Sequence, residues 1–169
     1  MGLSSCDNDE VAAMYKKLNG KWVVESCIQT VSLNDSVSER DIIKEDEVEI
    51  SMYFMNDTTL IEVSSQSEDI TEATYQYIPE HKKLIVSYKN NSYGYRRALL
   101  GSSYGSQIYK VDFVDENTCK LSNSYSVSMP PYQAYYELGF DKFTEEQYYS
   151  EEYLTFDIKE ELTLKRITE

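Results

Sequence analysis

The chain has 169 residues, with 16 Lys and Arg against 30 Asp and Glu and a formal net charge of −14. That length fits one domain with a substantial core, and so acidic a surface repels phosphate backbones and anionic membranes, so nucleic acid is not an expected partner. Sixteen tyrosines, five phenylalanines and one tryptophan are too many for an acidic disordered chain, and no run is long enough for a membrane-spanning helix.

The first residues read as processing. Leu3-Ser4-Ser5-Cys6 resembles a bacterial lipobox, which makes Cys6 the expected lipid-attachment residue, and Met1-Gly2 stands where most of a signal peptide would be. The acids that follow, Asp7-Asn8-Asp9-Glu10, resemble the signals that send Bacteroidetes lipoproteins to the outer face of the outer membrane. Residues 1–8 are therefore expected to be a truncated signal and tether, and residues 9–169 the folded domain. A short amphipathic helix is predicted over 9–18, capped by Asp7, Asn8 or Asp9. Val11, Tyr15 and Leu18 lie on one face, and Asn19-Gly20 is the stop.

After Gly20 the chain reads as almost wholly β. Trp22 to Thr30 is the first strand, and the polar stretch 31–47 reads as a long loop. Val48, Ile50, Met52 and Phe54 alternate with polar positions, the period of a half-buried strand. Asn56-Asp57-Thr58 is a turn, and Leu60 to Val63 returns. Thr74 to Ile78 and Leu84 to Tyr88 form a hairpin about Pro79-Glu80-His81-Lys82. The stretch from Asn90 to Ser106, rich in Asn, Ser, Gly and Tyr, reads as another loop. Ile108 to Val114 alternates again, with Tyr109, Val111 and Phe113 on one face. Asp115-Glu116-Asn117 turns the chain into Thr118 to Leu121. The last two strands are predicted over 153–158 and 162–167, joined by Lys159-Glu160-Glu161.

Between Ser122 and Glu152 an irregular, aromatic insert is predicted, with a short helix near residues 143–148 capped by Thr144. A connection this long inside a compact domain is functional or disordered, and its aromatic content argues against disorder. Tyr132, Tyr135 and Tyr136 are candidate recognition residues, because tyrosine gives rigid amphipathic contact area at low entropic cost.

About eight or nine short sequential strands with hairpin turns fit an antiparallel up-and-down barrel, all-β, with a short N-terminal helix. Closure removes exposed strand edges. Such a barrel has room for side chains and one small ligand. Tyr75, Tyr77, Tyr88, Tyr109 and Phe113 are candidate inward residues. As ligand contacts they would form a polar-aromatic cavity suited to a glycan, an aromatic or an amphiphile; as packing they simply fill the core. Cys27 and Cys119 each sit in an apolar run, as a disulfide pair or as buried thiols.

Catalytic patterns are poor. His81, the only histidine, sits in a turn where exposure is expected. No nucleophile has a plausible base, no glycine-rich phosphate loop appears, and the Glu pairs lack a calcium-loop pattern. No enzyme activity, metal or cofactor is expected.

Gly20-Lys21-Trp22 after a short helix, the hairpin series, and a basic residue, Arg166, in the last strand resemble the short lipocalin-like lipoproteins of Bacteroidetes. The resemblance implies that Gly20, Trp22 and Arg166 are architectural, with Arg166 lying over the indole to close one end of the barrel. It implies a lipid-anchored, monomeric outer-membrane protein, exposed at the cell surface and touching the membrane only through Cys6. Such a protein binds a small molecule without catalysis. The alternative is a filled-barrel interaction subunit whose Tyr-rich insert, about 124–152, docks onto another envelope protein. A Thr-Asp-Tyr-type motif of ordinary secreted lipocalins is absent from the middle of the chain.

Overall fold

The computed structural model describes residues 4–66, 70–88 and 106–168. Helix α1 runs over Ser4–Leu18, starting earlier than the acidic residues suggested. Asp7, Asn8 and Asp9 therefore lie inside the helix rather than capping it, and the expected tether–domain boundary after residue 8 falls within α1. No Gly or Pro interrupts this stretch, so nothing local stops the helix from extending toward the N-terminus. Leu18 is fully buried, and Val11, Met14 and Tyr15 pack with it against the barrel core. Gly20, at φ +124°, then turns the chain into β1.

Nine strands form one antiparallel sheet that closes on itself: an eight-stranded barrel with one extra strand. Strand β1, Gly20–Leu33, joins β9 along most of its length, from Trp22 opposite Arg166 to Ser32 opposite Asp157. Its other edge is divided. Gly20–Val23 pairs with β3, Ile50–Phe54, whereas Ile28–Leu33 pairs with β2, Ser36–Asp41. The register shift between Val24 and Ser26 marks a bulge at Glu25, and a bulge bends its strand; here the bend lets β3 leave and β2 take over.

The predicted loop over 31–47 is therefore mostly regular structure. It holds the end of β1, a tight turn with Asn34 at φ +52°, strand β2, and the short helix α2, Ile42–Glu45, capped by Asp41. β2 eluded the pattern because it is an edge strand outside the barrel, polar on both faces, whereas alternation is imposed only where one face meets a core.

Strands β4 (Thr59–Ser64), β5 (Ile70–Ile78), β6 (Lys83–Tyr88) and β7 (Ser106–Asp115) follow as hairpin neighbours. The segment 79–81 is a single 3-10 turn, and Lys82 at φ +50° completes the reversal. His81 in that turn is exposed. The predicted loop from Asn90 to Ser106 lies outside the described residues but for Ser106, which opens β7.

Strand β8 runs over Thr118–Met129 and β9 over Leu154–Arg166, both longer than expected. Lys159-Glu160-Glu161 is not a turn: all three continue β9, with Lys159 and Glu161 facing solvent and Glu160 buried. The insert narrows to the connection between Met129 and Leu154. It carries helix α3, Pro131–Leu138, with proline at its first turn and Gly139 at φ +63° after its end, and helix α4, Glu145–Tyr148. Thr144 and Gln147 form the capping box of α4, as the sequence implied.

Two apolar clusters result. The larger fills the barrel and includes Trp22, Met52, Phe54, Leu60, Leu84 and Leu164. The smaller lies where β1, β8 and β9 run on past the barrel; there Val31, Met129, Phe156 and Ile158 receive Ala134, Leu138 and Phe140 from the insert. Cys27 and Cys119 are buried thiols in the larger cluster, not a disulfide.

Candidate functional site

The barrel is closed at the α1 end. Trp22 is fully buried and donates Nε1–H to the Leu18 carbonyl at 2.7 Å. The Arg166 guanidinium lies 4.2 Å from the indole centroid, where the resemblance put it. It also donates to the carbonyls of Asn19 at 2.6 Å, of Glu116 at 3.2 Å and of Lys17. Gly20 takes a φ that favours glycine, and a Cβ there would stand 2.9 Å from this guanidinium and push it aside. Beside this latch an open cleft of about 720 Å³ is lined by Lys16, Lys17, Phe113 and Arg166.

The candidate inward aromatics are largely consumed by packing. Tyr75, Tyr77 and Tyr109 are 3%, 4% and 0% exposed. Tyr75 packs edge-on against Phe54 and Tyr15 and donates to the Met55 carbonyl at 2.6 Å. Burial pushes its phenol up to about 12. Tyr77 bonds Glu10 of α1 at 3.3 Å; burial and then the Glu10 carboxylate raise its pKa. Phe113, half-buried, meets Trp22 with the Lys17 ammonium 5.6 Å from its ring centroid. Tyr88 bonds a buried carboxylate, Glu62, and Tyr109 lies close enough to Tyr125 to help raise its phenol.

Tyr88 and Tyr125 belong to a belt of inward polar side chains toward the end of the barrel opposite Trp22, which the sequence did not announce. Glu62, Thr71, Tyr88 and Gln107 stand close to that end of β4, β5, β6 and β7. Glu62 is opposite Thr71 and takes the Tyr88 hydroxyl at 3.5 Å. On the other side Asn123 donates to Gln107 at 3.2 Å and pairs across the sheet with Glu160, which is opposite Gln29. Gln29 and Tyr125 both donate to Glu160 Oε1, at 3.2 and 2.9 Å. Burial first, then the Glu160 charge, pushes the Tyr125 phenol upward. Arg40 of β2 donates Nε–H to Gln29 at 3.0 Å and a second N–H to the Glu137 carbonyl near the end of α3 at 3.1 Å.

Glu62, Gln29 and Glu160 are at most 2% exposed. Burying amides and carboxylates costs free energy that apolar residues at the same positions would not incur, even when bonded. Asn123, Tyr88 and Tyr125 are half-buried and mark the belt's more accessible members. The signal that could have found it was the run of polar residues at alternate, core-parity positions: Gln29, Glu62, Gln107, Asn123 and Glu160.

The insert places its candidate tyrosines elsewhere. Tyr132, Tyr135 and Tyr136 project from α3 with exposures of 50%, 44% and 74%, and Tyr149 and Tyr153 are 75% and 72% exposed. Tyr136, Tyr135, Tyr148 and Tyr149 meet edge to face in succession, with centroids 5.3, 5.5 and 5.2 Å apart. The nearby Tyr136 hydroxyl, then burial, raises the Tyr148 phenol. These rings form a surface ladder, not a lining of the barrel core.

Among the described residues, no group of three His, Cys, Asp or Glu side chains is placed to hold a metal ion, and no helix is long and apolar enough to cross a membrane. The Cys6 side chain lies outside what is described. No family model matches the chain, and no curated protein matches it. It is similar to a solved structure of an uncharacterized protein from Bacteroides eggerthii DSM 20697. The two share 11% identity and a TM-score of 0.39, over 88% of this chain and 98% of that one.

Proposed function

We propose that this chain is a non-catalytic, lipocalin-like binding protein of the bacterial envelope, tethered through a lipid on Cys6, that holds a small polar ligand at the polar belt of its barrel. One observation carries the reading: Gln29, Glu62, Gln107 and Glu160 occupy buried, inward positions where a barrel built only for stability gains by placing apolar side chains. Binding sites combine an apolar enclosure with a few fixed polar groups. Here the enclosure is the aromatic core below and the small cluster under the insert above. Since Tyr75 and Tyr77 are committed to Met55, Glu10 and the core rings, the ligand contacts in this reading are Tyr88, Tyr125, Asn123 and the belt carboxylates. That favours a polar, hydrogen-bonding molecule over an alkyl chain.

The test is native mass spectrometry of the protein purified from its own membrane, beside a solvent-extracted control and a Glu160→Gln variant. A discrete added mass that is lost on extraction and reduced in the variant is the expected result. Wild-type protein with the Cys6 lipid but no further mass would overturn ligand binding; absence of the lipid mass would overturn the anchor.

A further inference from the structure

We propose that the tyrosine ladder on α3 and α4 is a docking surface for an arginine- or lysine-rich segment of a partner protein. This is independent of the belt, whose residues it does not share. The rings are not there to build a core: the insert already has one, in Ala134, Leu138 and Phe140 against β1 and β9. Tyr136, Tyr149 and Tyr153 instead stand about three-quarters exposed on the outside of that core. Grouped exposed aromatics mark interaction sites.

The ladder is also preorganised. Successive edge-to-face contacts hold the rings before any partner arrives, which lowers the entropic cost of association.

Charge decides the occupant. The same segment, residues 130–153, carries Glu137, Asp141, Glu145, Glu146, Glu151 and Glu152 against the lone cation Lys142. All of these acids except Glu137 are exposed. Tyrosine faces are electronegative, so an array of ring faces bordered by carboxylates suits a guanidinium, which stacks and hydrogen-bonds at once. A neutral glycan would use the rings but gain little from the carboxylates, and an acidic partner would be repelled.

The test uses the full chain and hexa-arginine as probe, with a Ser-Gly peptide of equal length and maltohexaose as comparators, by calorimetry at physiological salt. The double variant Tyr136→Ser, Tyr149→Ser leaves the net charge unchanged. It is expected to weaken hexa-arginine binding about tenfold or more, while the matching Tyr→Phe double retains it, with circular dichroism as the check that both variants keep the fold. Equal binding by wild type and the serine double would show that only bulk charge attracts the peptide and would overturn the proposal. So would no binding by wild type, or a preference for maltohexaose, which would assign the ladder to glycans.

Discussion

Arg166→Ala tests the latch that ties α1 to the barrel. The side chain contributes three charge-assisted bonds, to the carbonyls of Lys17, Asn19 and Glu116, and one cation–π stack on Trp22. A hydrogen bond to a charged group contributes about 1.5–3 kcal/mol when buried, but Arg166 is only partly buried, so about 0.5–1 kcal/mol each is the appropriate scale after solvent screening. The stack adds about 0.5–1 kcal/mol. Truncation should therefore cost about 2–3 kcal/mol, less than the plain sum because the groups share one side chain. Trp22 is the sole tryptophan, so its fluorescence during urea unfolding reads the site directly. The midpoint should fall with the slope unchanged. Arg166→Lys should recover less than half of the loss, since an ammonium cannot span three divergent carbonyls in the guanidinium's fixed plane. A loss under about 0.5 kcal/mol, or a lysine variant as stable as the native chain, would refute the latch.

Two further outcomes follow from burial. In alkaline titration Tyr75 should hold its proton to about 12, and Tyr125 should also ionise above the ordinary phenol value of 10.0. Because these folded-state values lie above the unfolded ones, their contribution to stability is complete below pH 10 and is lost as pH rises through the folded values. Urea midpoints rising between pH 10 and 12 would contradict this. In a Cys6→Ala background the native protein should leave Cys27 and Cys119 unmodified by a thiol reagent. Both are buried, and burial pushes the Cys119 thiol up to about 12, so each should react only on unfolding; prompt labelling without denaturant would show that the walls around them open.

The barrel was legible wherever one strand face met the core. Ile50, Met52 and Phe54, and again Tyr109, Val111 and Phe113, alternate because a residue slipped to the other face would be solvated. The helix face of Val11, Tyr15 and Leu18 was legible for the same reason at the helical period. The latch was legible only through a family resemblance, since nothing local in Leu162-Thr163-Leu164-Lys165-Arg166 says that a guanidinium will meet Trp22. What stayed hidden depends on residues distant in sequence. Lys159-Glu160-Glu161 reads as a turn because three consecutive charges look solvated. Glu160 is nevertheless inside the sheet, and its partners are Gln29, 131 positions away, and Tyr125, 35 away. The insert looked irregular because its buried apolar residues, Ala134, Leu138 and Phe140, answer to Val31, Phe156 and Ile158 on distant strands.

The belt's position follows from the same geometry. Along β1 the inward positions pass from Trp22, Val24 and Cys27 through Gln29 to Val31, and along β9 from Leu164 and Leu162 through Glu160 to Ile158. Gln29 and Glu160 thus lie on the seam between the barrel core and the core under the insert. At such a seam a polar pair can be enclosed without being stranded, because a neighbouring element can supply the missing donor. Arg40 does so, reaching Gln29 with one N–H and the Glu137 carbonyl with another, while it also lies against Gly139, where a Cβ would stand 3.1 Å from the guanidinium. β2, the one strand outside the barrel, therefore has a purpose that its polar sequence conceals. It carries the cation that joins the belt to the end of α3, and it fixes the belt's geometry from the side that the barrel strands leave open.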